Sequence, residues 1–211
     1  MPDSSAPQFD GVSPMPPASR DGPLQASWQE GLTIVNLRGD PQDSGFRDAA
    51  RRALGIALPD SHLRIATDRP DRGAFDPRLT VVPAGPDDWF VIGPRGGADA
   101  LVLALREQLA GRHVAITDVS SGYLVLRLAG AQARDVLAQG CPLDLHPRIF
   151  GAGQCAGSHF FKASVWIWRS GEASQFELLV RRSFVGYVRL MLAHATRECG
   201  LEDWREPGQP P

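Results

Sequence analysis

The sequence predicts an α+β fold made of two similar halves, each with the element order β-α-β-β-α, antiparallel sheets and helices on one face of each sheet. Three observations carry this. Apolar residues alternate over short runs and then recur at helical spacing, in the same order twice along the chain. Glycines fall at corresponding ends of these runs. The 211 residues are 43% hydrophobic and 22% charged, enough to bury a core as one domain or two small lobes.

In the first half, LTIVNLRGD reads as a strand, and SGFRDAARRALG as a helix with Phe46, Ala49, Ala50, Ala53 and Leu54 on one face and Gly55 ending it. A polar stretch with prolines, residues 58–78, leads to LTVVPAGPDDWFVIGP, two apolar runs around a Pro-Asp turn that predict a hairpin. The helix after it is expected to be capped by Asp99, striped by Leu101, Ala104, Leu105 and Leu109, and closed by Gly111.

The second half repeats the order with strand YLVLRLAG, helix AQARDVLAQG, a polar connection GCPLDLHPRIFGAGQC, strands FKASVWIWR and QFELLV, and a last helix. In that helix Ser183 is the expected N-cap, Phe184, Tyr187, Val188, Met191 and Ala195 share a face, and Gly200 marks the end. Nine of the eighteen prolines lie in residues 1–27 or 203–211. The expected organisation is therefore a loose tail over 1–27, halves over 28–111 and 112–200, and a flexible tail over 201–211.

The strand FKASVWIWR has large groups on both faces: Ala163, Val165 and Ile167 on one, Ser164, Trp166 and Trp168 on the other. Two indoles on the face away from the helices call for a second protein layer, either the other half of the chain or a partner.

Charge and composition exclude several classes. With 22 Lys and Arg against 24 Asp and Glu, net charge −2, there is no cationic excess to neutralise a phosphate backbone. No apolar run reaches the length of a membrane span, and MPDSSAPQFD lacks the basic start and apolar centre of a secretion signal, so the expected location is cytoplasmic. Three cysteines fit free thiols better than a disulfide framework.

Cys141, His146, Cys155 and His159 are zinc-ligand types, but the thirteen-residue separation of the cysteines departs from the short knuckle of structural zinc sites. A thiol nucleophile at Cys141 or Cys155 would need an orienting third group, and none is recognisable. Ser120 and Ser121 lack the nucleophile-elbow pattern. Gly93, Gly96 and Gly97 with Arg95 could cradle an anion at a helix start, yet they match neither phosphate-binding spacing and read as a hairpin-to-helix turn. The pairs Arg51-Arg52 and Arg181-Arg182 read as solvated charge, and the single lysine, Lys162, begins a strand without an activating neighbour.

The stretch ITDVSSGYLVLRLAGAQARDVLAQGCPLDLHPRIF, continuing to RRSFVGYVRLML, resembles the gamma subunits of heterotetrameric sarcosine oxidase, most tellingly at GCPLDLHP. The resemblance spans about residues 28–200 and implies the wider folate-binding aminomethyltransferase (T-protein) superfamily, whose duplicated α+β N-terminal region agrees with the repeat. It implies a non-catalytic subunit stabilising a complex that oxidatively demethylates sarcosine to glycine, with hydrogen peroxide and formaldehyde or methylenetetrahydrofolate as products. The implied partners are alpha, beta and delta subunits, chiefly alpha. FAD, FMN, NAD, tetrahydrofolate and zinc would be carried by those partners and none by this chain. FKASVWIWR has no acidic residue where active aminomethyltransferases place carboxylates, and GAGQC only echoes the motif of folate-binding iron-sulfur repair proteins. No catalytic, cofactor or metal residue is expected, and Trp89, Trp166 and Trp168 are the interface candidates. The alternative is a free-standing folate-binding transferase.

Overall fold

The computed structural model describes residues 24–67, 79–169, 171, 174–197 and 203–205. Its elements run β1 (Gln25–Gln29), β2 (Thr33–Arg38), α1 (Ser44–Leu54), β3 (Ala66–Thr67), β4 (Thr80–Gly85), β5 (Asp88–Gly93) and α2 (Ala98–Gln108). They continue with β6 (Ala115–Asp118), β7 (Tyr123–Ala129), α3 (Ala133–Ala138), β8 (Cys155–Phe160), β9 (Ala163–Trp168), β10 (Gln175–Arg181), α4 (Val185–Ala195) and β11 (Asp203–Arg205). The repeated order is present: β2-α1-β4-β5-α2 is followed by β7-α3-β9-β10-α4.

The sheets make the duplication explicit. One has the order β3-β4-β5-β2-β6 and the other β8-β9-β10-β7-β1-β11. Each strand occupies the position of its counterpart, and the halves exchange one strand. β1 leads into the first half but pairs antiparallel with β7, from Gln25 opposite Ala129 to Gln29 opposite Val125. β6 leads into the second half but pairs antiparallel with β2, from Val35 opposite Asp118 to Arg38 opposite Ala115.

This exchange corrects the expected boundaries. The first tail cannot reach residue 27, because Leu24 is buried and Gln25–Gln29 is a ladder strand. The halves are not separable at 111/112, because a strand from each completes the other's sheet. Nor is the end of the chain wholly a tail, since Asp203–Arg205 pairs parallel with Gln25–Ser27. Neither β1 nor β11 is flagged by periodicity: both are short, and their place is set by the partner strand's unpaired backbone groups.

The chain stacks as helices, sheet, sheet, helices. Val35, Leu37, Val81 and Val91 meet Phe46, Ala49 and Ala50 of α1 and Leu105 of α2. Leu124, Leu126, Leu128, Phe176 and Leu178 meet Val136 and Leu137 of α3 and Val188 and Leu192 of α4. The opposite faces meet each other through Ile34, Val82, Phe90, Ile92, Val125, Trp168 and Leu179. Period-2 alternation thus sends successive residues of each strand into different cores. The cover demanded by the second face of β9 comes from the other half of the chain.

Helix α1 ends as its sequence predicts: Gly55 adopts φ 73° and its N–H donates to Arg51 O. The other caps differ. Gly97 is the N-cap of α2 and its amide donates to Thr33 Oγ1 at 3.0 Å, leaving Asp99 in the first turn. Ser183 lies in the 3-10 turn Arg182–Phe184 that precedes α4, and Phe184 is the N-cap. Because the chain enters α4 through that turn, Phe184 is rotated off the buried face and is 38% exposed. Gly200 lies outside the described residues. The segment expected to be a polar connection gives way to strand β8, whose alternating small and polar residues hide its β character.

Candidate functional site

An open cleft of about 580 Å³ lies where the two sheets meet beside the start of α4. Its walls are Ala84 of β4, Gly157 and Ser158 of β8, Ser164, Val165 and Trp166 of β9, Arg181 at the end of β10, and Phe184. Trp166 meets Phe90 edge-on, with centroids 4.9 Å apart, and Phe90 meets Tyr123 at 5.2 Å. The Arg181 guanidinium lies 5.7 Å from the Tyr123 ring centroid. Gly157 stands opposite Trp166 in the ladder, and its lack of a side chain leaves the indole reachable. The cleft is therefore an aromatic wall with one cation at its rim.

The three tryptophans separate. Trp89 is 3% exposed and packs on Phe46, 5.7 Å between centroids, beneath α1 and α2. Trp168 is fully buried between the sheets. Neither can touch a partner, because each fills space that this chain's own duplication encloses. Trp166, half-buried and lining the cleft, alone retains accessible area.

The thiol-imidazole cluster does not assemble. Cys141 is buried on the helix side of the larger sheet, 3.7 Å from Ser158 Oγ, whereas Cys155 is buried on the side facing the other sheet. A sheet stands between them, so no ion can reach both. Burial pushes the Cys155 thiol up to about 12, which suppresses the thiolate that nucleophilic attack requires. His146 and His159 are exposed. At the glycine-rich turn Arg95 lies against Gly31 and the Gly97 amide is taken by Thr33, so the turn is structural. Ser120 Oγ accepts from the Ile34 amide at 2.9 Å and is a turn residue that ties β2 to the segment before β7.

A second feature, not singled out from the sequence, is a buried polar row on the inter-sheet face of β7 and β10. Arg127 and Glu177 approach to 3.9 Å, and Gln175 donates to Glu177 Oε1 at 2.6 Å. Burial pulls the Arg127 guanidinium below its ordinary value while Glu177 pushes it back. Strand alternation could have placed these residues inward, since their neighbours 126, 128, 176 and 178 are the apolar set of the opposite face.

The glycine of the GCPLDL segment has a local explanation. Gly140 follows α3, and a Cβ there would fall 2.4 to 2.9 Å from the Phe161 ring. Phe161 sits in the tight β8–β9 turn at φ 51°, a conformation that bulky residues avoid, and its amide donates to Gly140 O at 2.7 Å. The glycine lets the ring dock and hold the turn.

Fold and site together define a class: a strand-exchanged α+β duplication whose inner face is filled, and whose open cleft carries aromatic, hydroxyl and guanidinium groups but no side-chain carboxylate, imidazole or thiol among the described residues. The family model "Sarcosine oxidase, gamma subunit family" matches residues 38–198. The chain belongs to that family. It is 35% identical over 148 residues to a sarcosine oxidase subunit gamma from Arthrobacter, covering 69% of this chain and 67% of that one. It is 34% identical over 172 residues to one from Corynebacterium strain P-1, covering 81% and 78%. Among solved structures it is similar to a chain of heterotetrameric sarcosine oxidase from Corynebacterium U-96, with TM-score 0.75, 27% identity, and 86% and 88% coverage. The aminomethyltransferase T of the glycine cleavage system from Bartonella henselae shares the fold, with TM-score 0.59 and 14% identity over 87% of this chain and 48% of that one.

Proposed function

We propose that this chain is the gamma subunit of a sarcosine oxidase complex and contributes shape to it, while alpha, beta and delta partners carry the chemistry. In this reading FAD, FMN, NAD, tetrahydrofolate and zinc reside on the partners, and alpha is the principal contact. The carrying observation is family membership across residues 38–198, joined to a cleft whose lining offers no proton-transferring side chain among the described residues. An indole and two hydroxyls can pack and hydrogen-bond but cannot serve as a base near neutral pH.

Folate chemistry in the cleft is disfavoured by the same lining. The donor edge of a pterin ring is best met by a carboxylate, and among the described residues Arg181 is the sole charged group on the walls.

Coexpression with its three partner subunits tests the reading. The expected result is a stoichiometric complex that contains this chain, with sarcosine oxidation lost or unstable when it is omitted. Full, stable activity without it, or tetrahydrofolate binding by the isolated chain, would refute it.

A further inference from the structure

Resting on that reading, we propose that the chain docks on its partner through the face formed by the cleft, the Phe161–Lys162 turn and the outer side of α4, and that the partner presents a carboxylate-rimmed, apolar-centred protein surface there.

Charge distribution leads to this face. From Leu145 to Arg169 and from Leu178 to Arg197 the sequence contains no Asp or Glu, although the chain holds 24 of them and is net negative. Those two stretches carry Arg148, Lys162, Arg169, Arg181, Arg182, Arg189 and Arg197. The fold joins them. β8 and β9 supply one side of the cleft, and Arg181 with Phe184 supplies the other. The Lys162 amide donates to Tyr187 Oη at 3.2 Å, tying the hairpin turn to α4. Lys162, Arg181 and Arg182 are exposed, so these two stretches bring cations beside the cleft and α4 on a chain that is net negative.

Apolar groups lie beside those cations. Trp166 is reachable through the cleft, Phe184 is 38% exposed and stands edge-on to Tyr187, and Leu190 on the next turn is 63% exposed. Aromatic centres with a charged rim are the pattern of a protein interface. A nucleic acid would also suit cations, but the net charge of −2 repels it over the rest of the surface. A small anion would need only Arg181 and would leave the apolar strip on α4 unexplained. A partner with carboxylates around an apolar centre uses both features.

The test uses the full chain and its three partner subunits, with affinity read by biolayer interferometry at low and high salt. Arg181→Glu and Lys162→Glu should each weaken association about tenfold or more at low salt, with the difference shrinking as salt screens the rim. Phe184→Ala should weaken it at both salt concentrations. Arg52→Glu, on exposed α1 across the molecule, should leave affinity unchanged. Because Lys162 is exposed and Phe184 is part-exposed, these variants should still unfold cooperatively, with a drop of only a few degrees in melting temperature for Phe184→Ala, separating lost docking from lost folding. Wild-type affinity in all three face variants would overturn the proposed surface while leaving the subunit reading intact. A wild-type chain that never associates would sink the subunit reading itself. Binding of poly-dT by the wild-type chain, abolished by the same reversals, would assign the face to nucleic acid and overturn the proposal.

Discussion

Trp166 and Trp168 stand two residues apart on the same face of one strand, and the structure gives them opposite consequences. Trp168 is fully buried between the sheets with Phe90, Val125 and Leu179 in the same cluster. A tryptophan buries roughly 150–250 Å², worth about 4–6 kcal/mol at about 25 cal/mol per Å². Alanine keeps part of that surface, so Trp168→Ala should cost about 3–5 kcal/mol in urea unfolding. Trp168→Phe should cost clearly less, because Nε1 of Trp168 finds no acceptor among the described residues and phenylalanine removes that buried donor. Trp166→Ala should cost about 1 kcal/mol, since its indole is already part-solvated, and should instead weaken association with the partner. Urea denaturation of the three variants, followed by far-ultraviolet circular dichroism, reads these values. A loss below about 1 kcal/mol at Trp168, or equal losses at both positions, would refute the layer assignment.

Removing one member of the buried pair by Glu177→Leu should destabilise by about 3–5 kcal/mol, while Arg127→Met with Glu177→Leu together should cost less, as a double-mutant unfolding cycle would show. Gly140→Ala should cost about 1–3 kcal/mol, because its new methyl overlaps the Phe161 ring. Cys155 should resist iodoacetamide at pH 9 until the protein unfolds, as peptide mapping would show. Its raised pKa favours the folded form below the unfolded thiol value near 9, and that advantage is lost as pH climbs toward about 12. Chains split between residues 111 and 112 should fold only when the two pieces are mixed, since each sheet lacks a strand without the other, and circular dichroism of separate and mixed pieces would detect this.

Much of the fold was legible because its strands and helices obey different periods. The apolar set of residues 46, 49, 50 and 54 marks α1, and the two-sided bulk of β9 announced a second layer. What stayed hidden was long-range. Nothing local says that Gln25–Gln29 pairs with β7 rather than with β2, because register and partner are fixed only when both sheets exist. Residue type likewise nominated three tryptophans as surface anchors, but indoles serve cores and interfaces equally well. Only the tertiary packing shows that the duplication absorbs Trp89 and Trp168. The acid-free stretches were visible in the sequence, yet their meaning depends on the fold bringing Lys162, Arg181 and Phe184 to one side.

Analytical ultracentrifugation of the full chain mixed with its three partner subunits decides whether the chain is a structural member of the complex. The expected result is one heterotetrameric species containing a single copy of this chain, with stable sarcosine turnover in that species. A chain that sediments alone at every concentration, and itself binds tetrahydrofolate, would contradict it.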